Sequence, residues 1–555
     1  MIHLDVDKKI KIFAALEWAI IIVLAIIPLF VAFPYRVNIF LSWEGAYRLS
    51  QGQVPYYDFG MPLGYMYWVI PALFFKIFGV QMITLVKAQV FINIISGLAF
   101  RSILKSLSVQ PGVRLISVLL YCISFSFFNF WPWYNHTVIV YEMIALAFLF
   151  RYTMKSGHSW WLLALSALFT FCSFFTKQDG GGLAFVLSLT LLVAYCLIEK
   201  RWKPLGIYLL AIAVVGIAII APLTQFNFGY WFNRGQPPHT ARISVFEIVD
   251  EFFAASKWIK FYLLLLLLLA IATWKKGRQV FFEKRHLMFL LLTLGILTEA
   301  TILQVTSYTP PDNNIFFHSF AFAFILCYLA LYLNLNFFKL KTLIMIGAAV
   351  LLWWSGSFWK YFQRIAQRTL VSNAQPNTNG ENIVNRNTYL LHQPTGEIPM
   401  SQWKFSSLPV FEKIYMPAPT IDGIERLLQM PIVRSGKNLK VLNMTELTPL
   451  AAAIPYQLEK GPNIPLWYHL GVSMFNRQAQ AYEQKIAHHY YDLVLFEYVP
   501  SLNNFYPFRV RDSLAIHYNK IDSFPAPRQG NTQGMIEVYT VPLHPNTLNP
   551  STTKH

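Results

Sequence analysis

The sequence predicts a polytopic α-helical membrane protein of about eleven spans, followed by a C-terminal α/β domain outside the membrane. Three observations support this prediction. Of the 555 residues, 55% are hydrophobic and only 13% are charged, whereas soluble domains carry about 25% charged residues. Apolar segments of roughly the length that crosses a bilayer recur between residues 12 and 358. Beyond that point they give way to shorter, mixed patterns.

Twelve apolar segments are candidates for membrane spans. The segment 62–79 contains Pro62, Gly64, Pro71 and Lys76, which make it a poor spanning helix. We expect it to lie along the membrane surface instead, which leaves eleven spans. The twelve segments are 12–33, 62–79, 83–104, 113–130, 137–154, 160–176, 180–198, 205–223, 257–274, 286–306, 315–333 and 340–358.

The basic residues favour the same count, because Lys and Arg concentrate in cytoplasmic loops. The formal net charge is +18, and residues 1–360 hold 28 Lys or Arg. With eleven spans, 18 of these 28 fall in six groups on the side of the N-terminus, which we therefore place in the cytoplasm. The groups are Lys8, Lys9 and Lys11; Arg101, Lys105 and Arg114; Arg151 and Lys155; Lys200, Arg201 and Lys203; Lys275, Lys276, Arg278, Lys284 and Arg285; Lys339 and Lys341.

Three regions follow from this pattern: a membrane domain over 1–360, a linker over 361–390 and an external α/β domain over 391–555. The four cysteines all lie in apolar stretches, which indicates neither a disulfide framework nor a thiolate metal site. The cysteine-free outer domain favours a bacterial inner membrane, with this domain in the periplasm. Its patterns predict strands at Leu439–Met444, Asp492–Val499 and Met535–Thr540 and an amphipathic helix at Gln478–Tyr490.

The first outer loop carries two acidic residues, Glu44 and Asp58. Ser42 is expected to cap a short helix that Gly52 ends, which places Glu44 in its first turn. Spacing alone is compatible with two interpretations of each acidic residue. Glu44 either complements the helix dipole or takes part in chemistry, and Asp58 is either a turn residue or a substrate-binding residue.

The order of residues in this loop resembles the first external loop of the GT-C superfamily, polytopic glycosyltransferases that use polyprenyl-phosphate-linked sugars. The nearest branch is that of protein mannosyltransferases and lipid A aminoarabinose transferases. The residues that carry the resemblance are Glu44, Tyr47, Gly52, Pro55, Tyr56, Asp58, Phe59, Pro62 and the segment Leu73–Gly79.

This resemblance implies that Glu44 is the catalytic carboxylate, that Asp58 supports or binds the substrate, and that 62–79 is a jaw helix on the membrane. Many members carry an acidic pair early in the loop, whereas this chain has Trp43-Glu44. A two-carboxylate metal site is therefore not indicated. No cofactor is predicted, and a divalent cation stays an open alternative.

Lys177, followed by Gln178 and a run of three glycines, is the candidate for binding a phosphate at the outer end of a span. A lysine serves as a point charge for phosphate, and glycines let a helix N-terminus approach a ligand. The alternative is a lysine that extends toward water and pairs with Asp179.

Several ionisable residues lie within spans or beside them, where they are costly in lipid and often functional. Lys87, His136, Asp312 and His318 are predicted substrate contacts. The alternative is a structural role, for instance mutual pairing of Lys87 with Glu142. These residues, with Glu299, all fall toward the predicted outer face.

The functional hypothesis is a membrane glycosyltransferase that moves a sugar from a polyprenyl-phosphate donor to a lipid, glycan or protein acceptor at the outer face. Its partners also include membrane lipids, and the absence of a basic, aromatic groove argues against nucleic acid. The alternatives are a transporter or flippase for a lipid-linked substrate and a non-catalytic membrane scaffold. The sequence contains no H-E-x-x-H, C-x-x-C or G-x-S-x-G motif.

Overall fold

The computed structural model describes most of the chain, in both the membrane part and the C-terminal domain. The described residues are 6–36, 39–126, 129–155, 159–232, 244–276, 283–306, 316–356, 359, 398, 402–435, 438–454, 456–461, 463–466, 468, 474–503, 505–528 and 533–542.

Helices form at all twelve apolar segments, as the sequence predicts. A π-helical turn continues α5 to Ser126. The helices of the membrane part are α1 (Val6–Ile26), α2 (Ile39–Ser50), α3 (Met66–Phe78), α4 (Met82–Ser106), α5 (Pro111–Tyr121), α6 (Tyr134–Met154), α7 (Trp160–Phe174), α8 (Gln178–Glu199), α9 (Lys203–Ile220), α10 (Val245–Asp250), α11 (Lys257–Lys276), α12 (Lys284–Thr306), α13 (Phe317–Tyr332) and α14 (Leu340–Trp353).

Seven of the described helices are long and apolar enough to cross a membrane: α1, α4, α6, α8, α9, α11 and α12. Four shorter apolar helices, α5, α7, α13 and α14, would bring the number to eleven, which stays a prediction. Helix α3 has 13 residues and so extends only about 20 Å, less than the roughly 30 Å of a hydrocarbon core.

The outward faces of the long helices are apolar. On α9, Leu210 and Ile217 are each 66% exposed, and on α11 Leu264 is also exposed. Such a surface is unfavourable in water over this area but matches lipid. The chain is therefore an integral membrane protein.

The C-terminal domain contains a four-stranded sheet in the order β4-β5-β7-β6. Strands β4 and β5 are parallel, and the other two neighbouring pairs are antiparallel. The elements of the domain are β2 (Trp403–Phe405), β3 (Ile414–Pro417), α15 (Ala418–Gln429), α16 (Pro431–Ser435), β4 (Val441–Met444), α17 (Phe475–Ala487), β5 (Leu493–Tyr498), α18 (Phe508–His517), β6 (Asn519–Pro525) and β7 (Met535–Thr540).

A second small sheet ties this domain to the end of the first membrane helix. The two-residue strand β1 (Phe33–Pro34) follows α1 and pairs in parallel with β3, with Phe33 opposite Ile414. Tyr35 N–H donates to the Tyr415 carbonyl at 2.8 Å. We call the end of the bundle that contacts the domain the domain-facing end.

The strands and the amphipathic helix predicted from the sequence appear as β4, β5, β7 and α17. The sequence did not predict β2, β3 or β6, which are short or carry few apolar residues. The linker over 361–390 lies outside the described residues. The boundaries of the three regions stay predictions.

The prediction that Ser42 caps the first outer helix is wrong. Helix α2 begins at Ile39, three residues earlier, and Glu44 lies in its second turn. Ser42 instead donates its hydroxyl to the carbonyl of Pro132. Gly52 ends the segment as predicted, with φ of +77°.

A buried ion-pair cluster joins three helices at the end opposite the domain. Glu17 on α1 accepts from Arg101 Nε at 2.6 Å and from Arg114 Nε at 2.7 Å. Its side chain is 0% exposed. Each carboxylate oxygen is therefore matched to one guanidinium group.

We expect Glu17→Gln to destabilise the membrane bundle, because it leaves two arginines without their counter-charge. Removing one partner of a buried pair costs about 3–5 kcal/mol. Thermal unfolding of the purified protein in detergent measures the effect. The control is Asp7→Asn on the exposed start of α1, and equal midpoints for both variants would contradict the prediction.

Candidate functional site

A cavity of about 320 Å³ lies between α2 and the C-terminal domain. One wall is formed by α2 through Phe40, Leu41, Glu44 and Arg48. The other wall is formed by the C-terminal end of β4 and by the chain that follows it. The cavity volume is within the range of small-molecule sites.

Glu44 is buried in the α2 wall and pairs with Arg48 one turn further on. Arg48 Nη2 lies 2.8 Å from Glu44 Oε1, and Arg48 Nε lies 2.9 Å from the same oxygen. Burial raises the pKa of Glu44 above its usual range, and Arg48 opposes that rise. A carboxylate whose pKa is moved toward neutrality is a better proton acceptor at working pH.

Close packing of α3 fixes the position of Glu44. The next residue is Gly45, and a Cβ atom placed there would lie 2.1 Å from the Trp68 ring. Trp68 Nε1 donates to the Leu41 carbonyl at 2.8 Å. The glycine thus lets the jaw segment press directly on the helix that carries Glu44.

Arg48 also connects α2 to the C-terminal domain. Its Nη1 donates to Gln53 Oε1 at 2.9 Å and to the Glu459 carbonyl at 3.0 Å. The neighbouring loop adds backbone bonds, among them Gly60 N–H to the Ile464 carbonyl at 2.7 Å. The wall that carries Glu44 is therefore bonded to the domain that faces it.

The domain wall contains a second buried ion cluster, formed by Arg528, Glu446 and Glu497. Arg528 Nη2 lies 2.7 Å from Glu446 Oε1, and Arg528 Nε donates to Glu497. Tyr506 Oη accepts from the same Nη2 at 2.8 Å. Glu446 and Arg528 line the cavity, together with Glu459.

The donor set of the cavity does not fit a divalent cation. Glu44 pairs with Arg48 and Glu446 with Arg528, and Glu459 pairs with Lys485. Each lining carboxylate is thus engaged by a basic side chain. In the described part of the chain, no group of three or more His, Cys, Asp or Glu is placed to hold a metal ion.

Asp58 has local contacts. Its Oδ2 accepts from Val54 N–H at 2.7 Å, and its carbonyl accepts from Gly461 N–H at 2.8 Å. The side chain thus closes a turn, and the backbone holds that turn to the C-terminal domain. Of the predicted site residues that the structure describes, Glu44 is the one that lines the cavity.

Lys177 lies at the domain-facing end of α8, away from the cavity. Its Nζ is 3.0 Å from Asp179 Oδ2 and 5.7 Å from the centre of the Tyr134 ring. Gln178 Nε2 donates to the Trp231 carbonyl at 2.6 Å. The ring of Tyr134 contacts that of Tyr67, which precedes Trp68, so an aromatic layer connects Lys177 to α2.

His136 and Lys87 lie between the membrane helices. His136 is fully buried, and its Nδ1 is 3.4 Å from Gln89 Nε2. Lys87 Nζ lies 5.2 Å from the centre of the Phe78 ring. Glu142 lies against Glu299. This arrangement differs from the alternative in which Lys87 pairs with Glu142.

His318 is buried in an aromatic pocket on α13. Its Nδ1 is 2.5 Å from Tyr262 Oη, and the rings of Trp258 and Trp354 stand edge-on to it. Asp312, the remaining predicted substrate contact, lies outside the described residues.

An apolar groove of about 390 Å³ lies in the membrane part, between α3, α4, α6 and α7. Ile70 of α3 and Ile144 of α6 are among its lining residues. Helix α3 thus borders this groove through Ile70 and packs on α2 through Trp68. Tyr141 Oη donates to the Met66 carbonyl at 3.0 Å and fixes α3 over the groove.

The sequence did not predict the other residues that define the cavity. The sequence could have indicated Arg48, because it lies four residues after Glu44 in a predicted helix, the spacing at which side chains pair. Glu446 and Arg528 had none, because they are 82 residues apart and meet only through the fold of the C-terminal domain.

These features define a polytopic membrane protein in which the C-terminal domain covers a cavity on α2. No family model matches the chain, and no curated protein matches it.

Two solved structures to which the chain is similar are crystal structures of ArnT from Cupriavidus metallidurans. The apo-state structure has 12% identity and a TM-score of 0.49, over 95% of this chain and 98% of that chain. The structure bound to undecaprenyl phosphate has 12% identity and a TM-score of 0.47, over 94% of this chain and 97% of that chain.

The glycines after Lys177 differ in their surroundings, which yields a paired prediction. A Cβ at Gly181 would lie 2.0 Å from Phe174 Cα, whereas one at Gly182 would meet nothing within 4 Å. We expect Gly181→Ala to cost about 1–3 kcal/mol by overpacking and Gly182→Ala to be neutral or stabilising. Thermal unfolding in detergent measures both, and equal effects would contradict the prediction.

Proposed function

We propose that this protein is an integral membrane glycosyltransferase. It takes a sugar from a polyprenyl-phosphate donor and passes it to an acceptor at the domain-facing end of the bundle, with Glu44 as the base. The observation that carries this proposal is the cavity between α2 and the C-terminal domain, in which a buried carboxyl group is held by an arginine.

The location suits a substrate with an apolar tail and a polar head. The apolar groove lies among membrane helices, and α3 connects it to the helix that carries Glu44. A polyprenyl chain in that groove would have its sugar and phosphate near the membrane boundary. We further propose that this side is extracytoplasmic, with the N-terminus in the cytoplasm and the protein in a bacterial inner membrane.

The chemistry needs a proton acceptor close to the attacking hydroxyl. The acceptor oxygen bonds to the anomeric carbon of the donor sugar, and the bond from that carbon to the phosphate oxygen breaks. Glu44 takes the proton of the acceptor hydroxyl, and polyprenyl phosphate leaves. Arg48 opposes the effect of burial and so favours the charged form of Glu44 that accepts this proton.

The leaving phosphate needs a cation or hydrogen-bond donors. We propose Lys177 for this role, since it lies at the domain-facing end of α8 beside Tyr134. Its contact with Asp179 must then loosen or be shared when the donor binds. Gln178 and Asp58 hold the surrounding loops, and we propose that they shape the site together with His136, Lys87 and His318.

Glu44→Gln is expected to lower sugar transfer or donor hydrolysis by about 10²–10⁴-fold, because the amide cannot accept the proton. The measurement uses the full chain in lipid nanodiscs and a panel of radiolabelled polyprenyl-phosphate monosaccharides. Donor binding to the same samples is read in parallel and should be retained.

The matched control is Glu483→Gln, a partly buried acid outside the cavity that pairs with Arg509 on the C-terminal domain. It should keep wild-type turnover. Equal turnover in wild type and Glu44→Gln would remove Glu44 from the reaction. Absence of both turnover and donor binding across the panel would favour a scaffold or transporter over an enzyme.

Arg48→Gln is expected to shift the acidic limb of the pH–rate profile to higher pH. Arg48 lowers the pKa of Glu44 against the effect of burial, so its loss raises that pKa, and the active carboxylate then forms only at higher pH. Turnover by the variant should approach that of the wild type at high pH and fall below it at low pH. A uniform loss at every pH would instead indicate a purely structural role for Arg48.

A further inference from the structure

The domain wall of the cavity is poorly suited to a phosphate. Phosphate binding requires cationic donors that are free to face the ligand. The two guanidinium groups that line the cavity, those of Arg48 and Arg528, both donate to protein carboxylates. The Arg528 side chain is only 2% exposed.

The charges of the residues that line the cavity also disfavour a phosphate. Three carboxylates line the cavity, those of Glu44, Glu446 and Glu459, against the two guanidinium groups, whereas Lys485, which pairs with Glu459, is not among the lining residues. Like charges placed opposite each other suppress the wrong partner. An acceptor with a phosphate near this wall would therefore be disfavoured.

Three hydroxyl groups on this wall are buried at the cavity, and that of Thr448 has no hydrogen-bond partner among the described residues. Thr448 lines the cavity and is buried, and its Oγ1 makes no hydrogen bond among the described residues. The hydroxyls of Tyr456 and Tyr468 are also buried in the wall, where they interact with Asn443 and with Tyr482, respectively. Buried polar groups are normally paired, so an exception such as Thr448 marks a place that a ligand or water completes.

Aromatic faces surround these hydroxyls. Tyr482 and Tyr506 join Tyr456 and Tyr468 in lining the cavity. Burial raises the pKa of all four phenols above their usual range, so they remain neutral. Neutral hydroxyls beside apolar ring faces complement a ligand that presents both hydroxyls and C–H surfaces.

We propose that this wall binds the acceptor and that the acceptor is a neutral carbohydrate. Its hydroxyls pair with Thr448, Tyr456 and Tyr468, which brings one further hydroxyl to Glu44. This inference rests on the proposed function and names the acceptor class of that reaction. A hydroxyl oxygen of the carbohydrate bonds to the anomeric carbon of the donor sugar, and the bond from that carbon to the phosphate oxygen breaks.

Thr448→Val tests the contact without disturbing the fold, because valine has nearly the same shape and the hydroxyl has no protein partner. We expect about tenfold weaker binding of neutral oligosaccharides, as for the loss of one hydrogen bond. Thermal stability should be unchanged or higher. Equilibrium dialysis of radiolabelled, uncharged oligosaccharides against the full chain in nanodiscs measures binding directly.

The matched control is Tyr498→Phe, which removes a hydroxyl outside the cavity and should bind as the wild type does. Tyr456→Phe and Tyr468→Phe should weaken binding as Thr448→Val does. Wild-type affinity in all three cavity variants, or no binding of any neutral oligosaccharide, would overturn the inference.

The same oligosaccharides bearing one phosphate test whether the cavity disfavours a negatively charged ligand. We expect them to bind at least tenfold more weakly than their neutral counterparts, and tighter binding would overturn the inference. Donor hydrolysis without acceptor separates the two proposals. Donor use with no neutral acceptor binding contradicts the inference alone, whereas absence of donor binding and donor use contradicts the proposed function.

Discussion

The packing of the C-terminal domain on the first outer loop is the contact on which the cavity depends. The two parts share one hydrophobic core, in which Trp43 and Phe59 of the loop pack with Phe411 and Leu450 of the domain. Burial of large apolar side chains contributes about 1.5–3 kcal/mol each, so this core fixes the two walls relative to each other.

Burial of the walls also determines their electrostatics. A charge removed from water must be paired, and each of the three lining carboxylates has a basic partner. The two arginines therefore stabilise the walls instead of remaining free for a ligand. The same burial that requires these pairs raises the pKa of Glu44 and makes its carboxylate a stronger proton acceptor. Stability and reactivity thus have a common physical origin here.

The membrane architecture could be predicted from the sequence because its signals are local. Apolar length identifies the helices, and the proline-containing segment 62–79 is marked as different by its own residues. The strands β4, β5 and β7 were found for the same reason. The start of α2 was not, because the partner of Ser42 is a carbonyl 90 residues away. Local rules assign caps from neighbours and cannot detect a competing tertiary contact.

The site itself required long-range information. Glu44 could be singled out from its loop, but its surroundings come from residues about 400 positions later, as in the bond from Arg48 to the Glu459 carbonyl. The charged groups of Asp58 and Lys177 show the converse case, since the nearest bond of each is to a residue within four positions along the chain. A cavity assembled from two distant segments exists only when both have folded and docked. Glu44 is therefore expected to act as a base only after the C-terminal domain has docked on the first outer loop.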